Sequence, residues 1–221
     1  MLAEGLRLSG EGKVYFMSGR LDCMFRNLPP GWRPRRVLDF GCGIGDTAAA
    51  LAARLPGADV VGVDLARPAL AHARGAHPTA SFAHLDELPG LPPFDLCYVN
   101  GVFHHIDPSR RGEALATIHR ALRPGGYLAL FENNAWNPGA RMVMRRIPFD
   151  REATPMRPGE ARKLVTAAGF GPRVTVRSLF YFPRPLAWLR PLERPLATLP
   201  LGAQFMVLAA AGEAAVAAAG A

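Results

Sequence analysis

Val37-Leu38-Asp39-Phe40-Gly41-Cys42-Gly43-Ile44-Gly45 decides the fold. Arg36 to Phe40 is a short β-branched and aromatic run, which reads as a strand. It breaks at alternating glycines. Thr47 to Leu55 follows, rich in alanine and leucine and helical by propensity. Glycines at such a turn reach positive φ and let a ligand come close to the backbone. The helix start behind them offers N–H groups that have no partner within the helix. Asp64 stands 19 residues beyond Gly45, at the end of the next strand. An acid there can accept both hydroxyls of a ribose.

Outward from this turn the chain alternates. Asp59 to Val63 is an all-apolar strand of the kind buried on both faces. Pro68 to Arg74 is a helix with proline in its first turn. Ser81–His84 and Phe94–Asn100 are strands, Ser109–Leu122 is a helix, and Tyr127–Glu132 is a fifth strand. This alternation predicts a parallel sheet with crossover helices. The last third differs: a helix over Pro158–Ala168, then strands over Val174–Phe182 and Ala203–Ala209. Between those strands lies a stretch dense in proline, leucine and arginine.

The glycines alone leave the cofactor class open. A nicotinamide or flavin fingerprint, G-x-G-x-x-G/A, fails when read from Gly41 and passes when read from Gly43. Asp39 bears on the choice. An anion just before the turn suits an ammonium group and suits a pyrophosphate badly. With its neighbours, the turn resembles class I S-adenosylmethionine-dependent methyltransferases of the small-molecule, type 11/12-like kind. Five motifs carry the resemblance in order: Asp39–Gly45, Val60–Leu65, His84–Pro89, Phe94–His105 and Ala121–Leu128.

The resemblance implies an α/β fold, a Rossmann-like seven-stranded sheet with helices on both faces and the last strand antiparallel. Val174–Phe182 and Ala203–Ala209 would be strands six and seven. It implies S-adenosyl-L-methionine as cofactor and S-adenosyl-L-homocysteine as product. Gly41, Cys42 and Gly43 would line the methionine part, with Asp39 orienting its amino group. Asp64 would bind the ribose, Leu65 would pack on the adenine, and Asp86 with Leu85 would flank the adenine amino group. Asn100 would close over the methionine carboxylate region.

Methyl transfer from a sulfonium is an in-line displacement that needs no metal in principle, and none is expected. Positioning is the main requirement. His104 and His105 follow the fourth strand at the carboxyl edge, where ligands sit in such sheets. They are the candidate bases, since histidine titrates near neutrality. Their bland reading is loop packing. On the acceptor side, Tyr15, Glu132, Asn133 and Trp136 are candidate binding residues, with Arg20 beside Tyr15 as a lid. Arg141 and Arg145, spaced i,i+4, would share a helix face that could clamp a carboxylate or phosphate.

These readings divide the chain into an N-terminal helical lid over 1–30 and a methyltransferase domain over 31–211. Segments 135–157 and 183–200 would be acceptor-side insertions, and 212–221 a frayed tail.

Composition narrows the function classes. The chain has 221 residues, 49% of them hydrophobic and 20% charged, which suits a folded core. Net charge is +8, with arginine for nearly every cation. Residues 1–100 are neutral, so the excess belongs to the proposed acceptor half. That distribution, the absence of a Pro-Cys nucleophile, and Asn100-Gly101-Val102-Phe103 in place of an Asp/Asn-Pro-Pro-aromatic turn argue against a nucleic-acid substrate. Cys23, Cys42 and Cys97 lack metal spacing and read as free thiols of a reducing compartment. A cytoplasmic monomer or homodimer is expected. Basic, leucine-rich 183–200 could touch a membrane surface. Two other readings stay open: a cofactor-dependent cyclase or pericyclic catalyst of the same fold, and an RNA methyltransferase.

Overall fold

The structure, a computed structural model, describes residues 10–212. The first nine residues of the expected lid and the expected tail beyond Gly212 lie outside the described residues. Helix α1 (Lys13–Asn27) precedes the sheet. Then β1 (Arg36–Phe40), α2 (Asp46–Arg54), β2 (Asp59–Asp64), α3 (Arg67–Ala76) and β3 (Ser81–His84) follow in turn. The chain continues through β4 (Phe94–Asn100), α4 (Arg111–Ala121), β5 (Leu122–Asn133) and α5 (Pro138–Arg146). It closes with α6 (Pro158–Ala167), β6 (Phe170–Leu179), the short α7 (Glu193–Leu196) and β7 (Gln204–Ala211).

The seven strands form one sheet in the order β3-β2-β1-β4-β5-β7-β6. Strands β1 to β5 run parallel, and β7 lies antiparallel between β5 and β6. The strand order reverses between β1 and β4, which opens a crevice beyond their carboxyl ends, where open α/β sheets bind ligands.

Alternation along each strand sends apolar side chains to both faces. Leu38, Val61, Cys97, Val99 and Leu128 face one core with Leu115 and Ile118 of α4 and Val165 of α6. Val37, Val60, Leu96, Tyr98 and Phe131 face the other, with Leu21 and Met24 of α1, Leu51 of α2 and Leu70 of α3. Each fully buried side chain of this size contributes roughly 1.5–3 kcal/mol relative to exposure. The sheet is therefore held rigid from both sides under the crevice.

Two strands begin earlier than the sequence indicates. Arg123-Pro124-Gly125-Gly126 ends the helix, but β5 already starts at Leu122. Leu122 pairs with Phe94, and a register shift before Leu96 takes up the glycines. Strand β6 likewise starts at Phe170 and stops at Leu179, because Phe180 adopts a φ of 62°. The proline-rich segment after it forms a 3-10 stretch over Arg184–Leu192 that runs into α7. Trp188 there is 75% exposed. No helix among the described residues is long and apolar enough to cross a membrane.

Asp95 ties three strands together at the opposite edge. Its buried carboxylate accepts the Arg36 N–H at 2.9 Å and the Arg35 N–H, and pairs with Arg123 Nε at 2.6 Å. Asp95→Ala leaves two backbone donors without their acceptor. It should lower the unfolding free energy in urea by about 1–3 kcal/mol; an unchanged midpoint would contradict this role.

Candidate active site

The turn between β1 and α2 is a sequence of short-range constraints. Gly41 N–H and Cys42 N–H both donate to Val63 O, at 2.8 and 3.0 Å. Gly43 N–H donates to Asp64 Oδ2 at 2.8 Å, and Asp64 Oδ1 accepts from Ala66 N–H at 2.8 Å. Gly43 has a φ of 54°, and a Cβ there would meet nothing within 4 Å. The loop thus presents bare backbone to open space.

Below the loop, Asp39 is 2% exposed, and its Oδ2 has no hydrogen-bond partner among the described residues. Burial pushes its pKa up to about 7; the Ala48 N–H opposes the shift, Asp64 adds to it, and Arg20 opposes it. Arg20 is itself buried. It donates from Nε to the Tyr98 hydroxyl at 3.2 Å and from Nη1 to Gln204 Oε1 at 3.1 Å.

A second cluster stands beyond β4 and β5. Glu132, 1% exposed near the end of β5, accepts from Val102 N–H at 3.0 Å and Phe103 N–H at 2.7 Å through Oε1. Its Oε2 accepts from His104 Nδ1–H at 2.6 Å. The other His104 nitrogen lies 3.4 Å from Asp150 Oδ1, and His105 Nε2 lies 3.3 Å from the same oxygen. The backbone is fastened too: Thr154 N–H donates to His104 O at 2.8 Å, and Arg111 donates to the carbonyls of Ile106 and Thr154.

Burial alone would lower the His104 pKa, but Asp150 and Glu132, on its two ring nitrogens, outweigh it and raise the pKa to about 9. His105 shifts the other way, through burial and the neighbouring His104 charge. His104, His105 and Asp150 also bring three ligand-type atoms within 4.8 Å of one another, a spacing that a cation could bridge. An imidazolium between the two carboxylates balances one of their two charges.

The two clusters open into one cavity of about 700 Å³. Cys42, Gly43, Asn100 and His104 line it, together with residues of α1, α5 and the segment after β6. That volume falls in the range of small-molecule sites.

Residues 37–126 match the family described as Methyltransferase domain. The matched stretch holds the glycine turn and strands β1 to β4. The chain is 34% identical over 144 residues to a Trans-aconitate 2-methyltransferase of Methylobacterium nodulans, across 64% of this chain and 52% of the relative. It is 36% identical over 126 residues to a Demethylmenaquinone methyltransferase of Thermus thermophilus, across 53% of this chain and 56% of the relative. The chain therefore spans about half the length of the curated relatives it matches. A solved S-adenosylmethionine-dependent methyltransferase from Archaeoglobus fulgidus shares the fold, with a TM-score of 0.66 at 18% identity over 93% of this chain and 97% of that one.

The residues fit the cofactor of the family, S-adenosylmethionine. The bare Gly43 backbone leaves room for it, and the orphaned Asp39 oxygen offers an acceptor near a cationic group. Of the residues expected to hold it, Cys42, Gly43 and Asn100 line the cavity, while Gly41 and Asp39 support the loop from beneath. Asp64, Leu65, Leu85 and Asp86 stand on the ends of β2 and β3, outside that lining. Leu65 is 67% exposed there, and Asp86 Oδ2 lies 3.1 Å from His84 Nδ1.

On the acceptor side the structure sorts the candidates. Tyr15, Glu132 and Asn133 line the cavity, and Asn133 Oδ1 accepts from Gln204 Nε2 at 3.0 Å. Glu132 is occupied by three donors. Trp136, Arg141, Arg145 and His105 are not in the lining. Trp136 is half exposed, with the Arg157 guanidinium 6.0 Å above its ring. Arg141 and Arg145 are exposed on α5. Sequence reasoning missed Asp150, whose only signal was its place in Pro148-Phe149-Asp150, and it missed Phe16 and Phe180, which read as ordinary apolar residues.

A His104 pKa raised from 6.5 to about 9 stabilises the fold fully below pH 6.5, and that contribution is lost as pH rises through 9. Ring resonances in a histidine NMR titration should show His104 still protonated at pH 8 and Glu132→Gln moving its midpoint down. A His104 midpoint near 6.5 in the unaltered protein would refute the clamp.

Proposed function

We propose that this protein moves the methyl group of S-adenosylmethionine to a nucleophilic atom of a small organic acceptor. The observation that carries the reading is the single cavity shared by the glycine loop and the apolar elements α1, α5 and the post-β6 segment. Cofactor and acceptor then meet in one space, which is what a displacement needs.

S-adenosylmethionine supplies, when bound, a methyl group on a sulfonium already activated for displacement. The chain supplies the grip. Asp39 and Arg20 are opposite charges close enough to influence each other. Together they suit the ammonium and carboxylate of an amino-acid group. Asp64 takes the ribose hydroxyls and Leu65, Leu85 and Asp86 take the base, with Asn100 near the methionine end.

Against burial, Asp150 3.4 Å from Nε2 and Glu132 on Nδ1 raise the His104 pKa to about 9, so the ring favours its protonated form at neutral pH and suits holding the loop better than removing a proton. Burial and the His104 charge lower the His105 pKa, but its side chain stands outside the cavity lining, away from the acceptor. An acceptor that is already nucleophilic, such as a neutral amine or an ionised oxygen, needs neither.

Methyl-labelled S-adenosylmethionine incubated with a panel of small-molecule acceptors tests this reading. The expected result is label in one acceptor and stoichiometric S-adenosylhomocysteine. Methylthioadenosine release without labelled acceptor would replace methyl transfer by cyclisation chemistry.

A further inference from the structure

One wall of the cavity is built from three aromatic rings. Tyr15 and Phe16 come from α1, and Phe180 follows β6. Ring centroids are 4.9 Å apart for Phe16 and Phe180, 5.6 Å for Tyr15 and Phe180, and 5.3 Å for Tyr15 and Phe16. All three line the cavity and keep part of their surface uncovered.

Two local penalties converge on Phe180. Its φ of 62° makes it the one non-glycine residue at positive φ among the described residues. Such a conformation is strained for a residue with a side chain and tends to occur where a site needs it. Across from it, Gly19 interrupts α1. A Cβ on Gly19 would fall 2.6 Å from Phe180 Cε1. A glycine inside a helix is less stable than alanine. Both features serve one ring position. The turn is then pinned: Glu193 Oε1 accepts from Tyr181 N–H and Phe182 N–H at 3.0 Å each, and Ala203 N–H donates to Phe180 O at 3.1 Å.

Part of the lining continues this apolar wall, while the carboxylates of Glu11, Asp46, Glu132 and Asp150 stand elsewhere around the cavity. Val143, Met144 and Ile147 add apolar surface from α5 and its end. Cations are few: among the described residues only Lys13 and Arg20 of the lysines and arginines line the cavity. Lys13 pairs with Asp46, and Arg20 is held by Tyr98 and Gln204 beside Asp39. Arg190, paired with Glu11, stacks 4.5 Å from the Tyr15 ring without entering the lining.

We infer that the acceptor is a neutral, flat, apolar molecule, an aromatic or conjugated ring system laid against Tyr15, Phe16 and Phe180, and that Phe180 determines which acceptors fit. This rests on the methyl-transfer reading above. An edge or face of the acceptor ring meets the aromatic wall, as stacked or T-shaped pairs do. The cavity offers no fork of free cations for a polycarboxylate, whose charges would lose their water without replacement.

The test uses N-phenyl-1-naphthylamine, a neutral aromatic probe that fluoresces in apolar surroundings, with protein saturated in S-adenosylhomocysteine. Calorimetry of S-adenosylhomocysteine on the same samples reports separately on the cofactor reading and on folding. The expected result is saturable probe binding, weakened at least 10-fold by Phe180→Ala and by Val143→Asp, and no displacement by millimolar citrate. Should Phe180→Ala fail to bind S-adenosylhomocysteine, Val143→Asp decides. Probe binding that is unsaturable, indifferent to the variants or displaced by citrate overturns the inference. Loss of S-adenosylhomocysteine binding by the unaltered protein, with the probe still bound, overturns the methyl-transfer reading and leaves the apolar site standing.

Discussion

The carbonyl of Val63, at the end of β2, accepts two N–H groups from the turn that leaves β1. The next residue, Asp64, accepts a third from Gly43. Everything else about the site depends on this lacing. It holds the glycine turn in left-handed backbone, keeps the start of α2 open toward the crevice, and sets Asp64 level with the loop. Because β1 and β2 are buried on both faces, the lacing has a rigid base. The cofactor region is thus fixed by the sheet itself.

The acceptor region is organised differently. There a buried carboxylate, Glu132, gathers two backbone amides and one imidazole, so the loop after β4 is shaped by a charge and not by packing alone. Asp150 arrives from the segment after α5 and completes a cluster of two acids and two histidines. Removing one member of such a group leaves another buried and uncompensated, which is why the cluster behaves as a unit. Facing it, the wall of Tyr15, Phe16 and Phe180 is apolar. One end of the site is therefore charged and the other is suited to an uncharged surface.

Much of the fold was legible in the sequence, for local reasons. The strands announce themselves as β-branched runs, the glycines mark the turn, and Asp64 falls at the distance a strand–helix–strand unit requires. The antiparallel last strand followed from the family resemblance and is present as β7. The acceptor side was legible only in part. His104 and His105 could be named from their place after β4, but their opposite protonation depends on Asp150, 45 residues further on, and on Glu132 across the sheet. Glu132 lines the cavity, as its place near a strand end suggests, but three donors already occupy its carboxylate, which the sequence does not show. Arg141 and Arg145 share a periodicity that says they lie together, and periodicity does not say which face of α5 meets the cavity. Phe180 carries no signal at all, since its importance lies in a backbone angle and in the gap left by Gly19.

The central claim is that Asp64 and the glycine turn form the cofactor cradle. Calorimetric titration of S-adenosylhomocysteine into the unaltered protein, Asp64→Asn and Asp64→Ala tests it most directly. The account predicts saturable binding by the unaltered protein and affinity at least ~10-fold weaker in both variants, a loss of about 1.4 kcal/mol or more. Equal affinity in all three, or no binding by the unaltered protein, would contradict it.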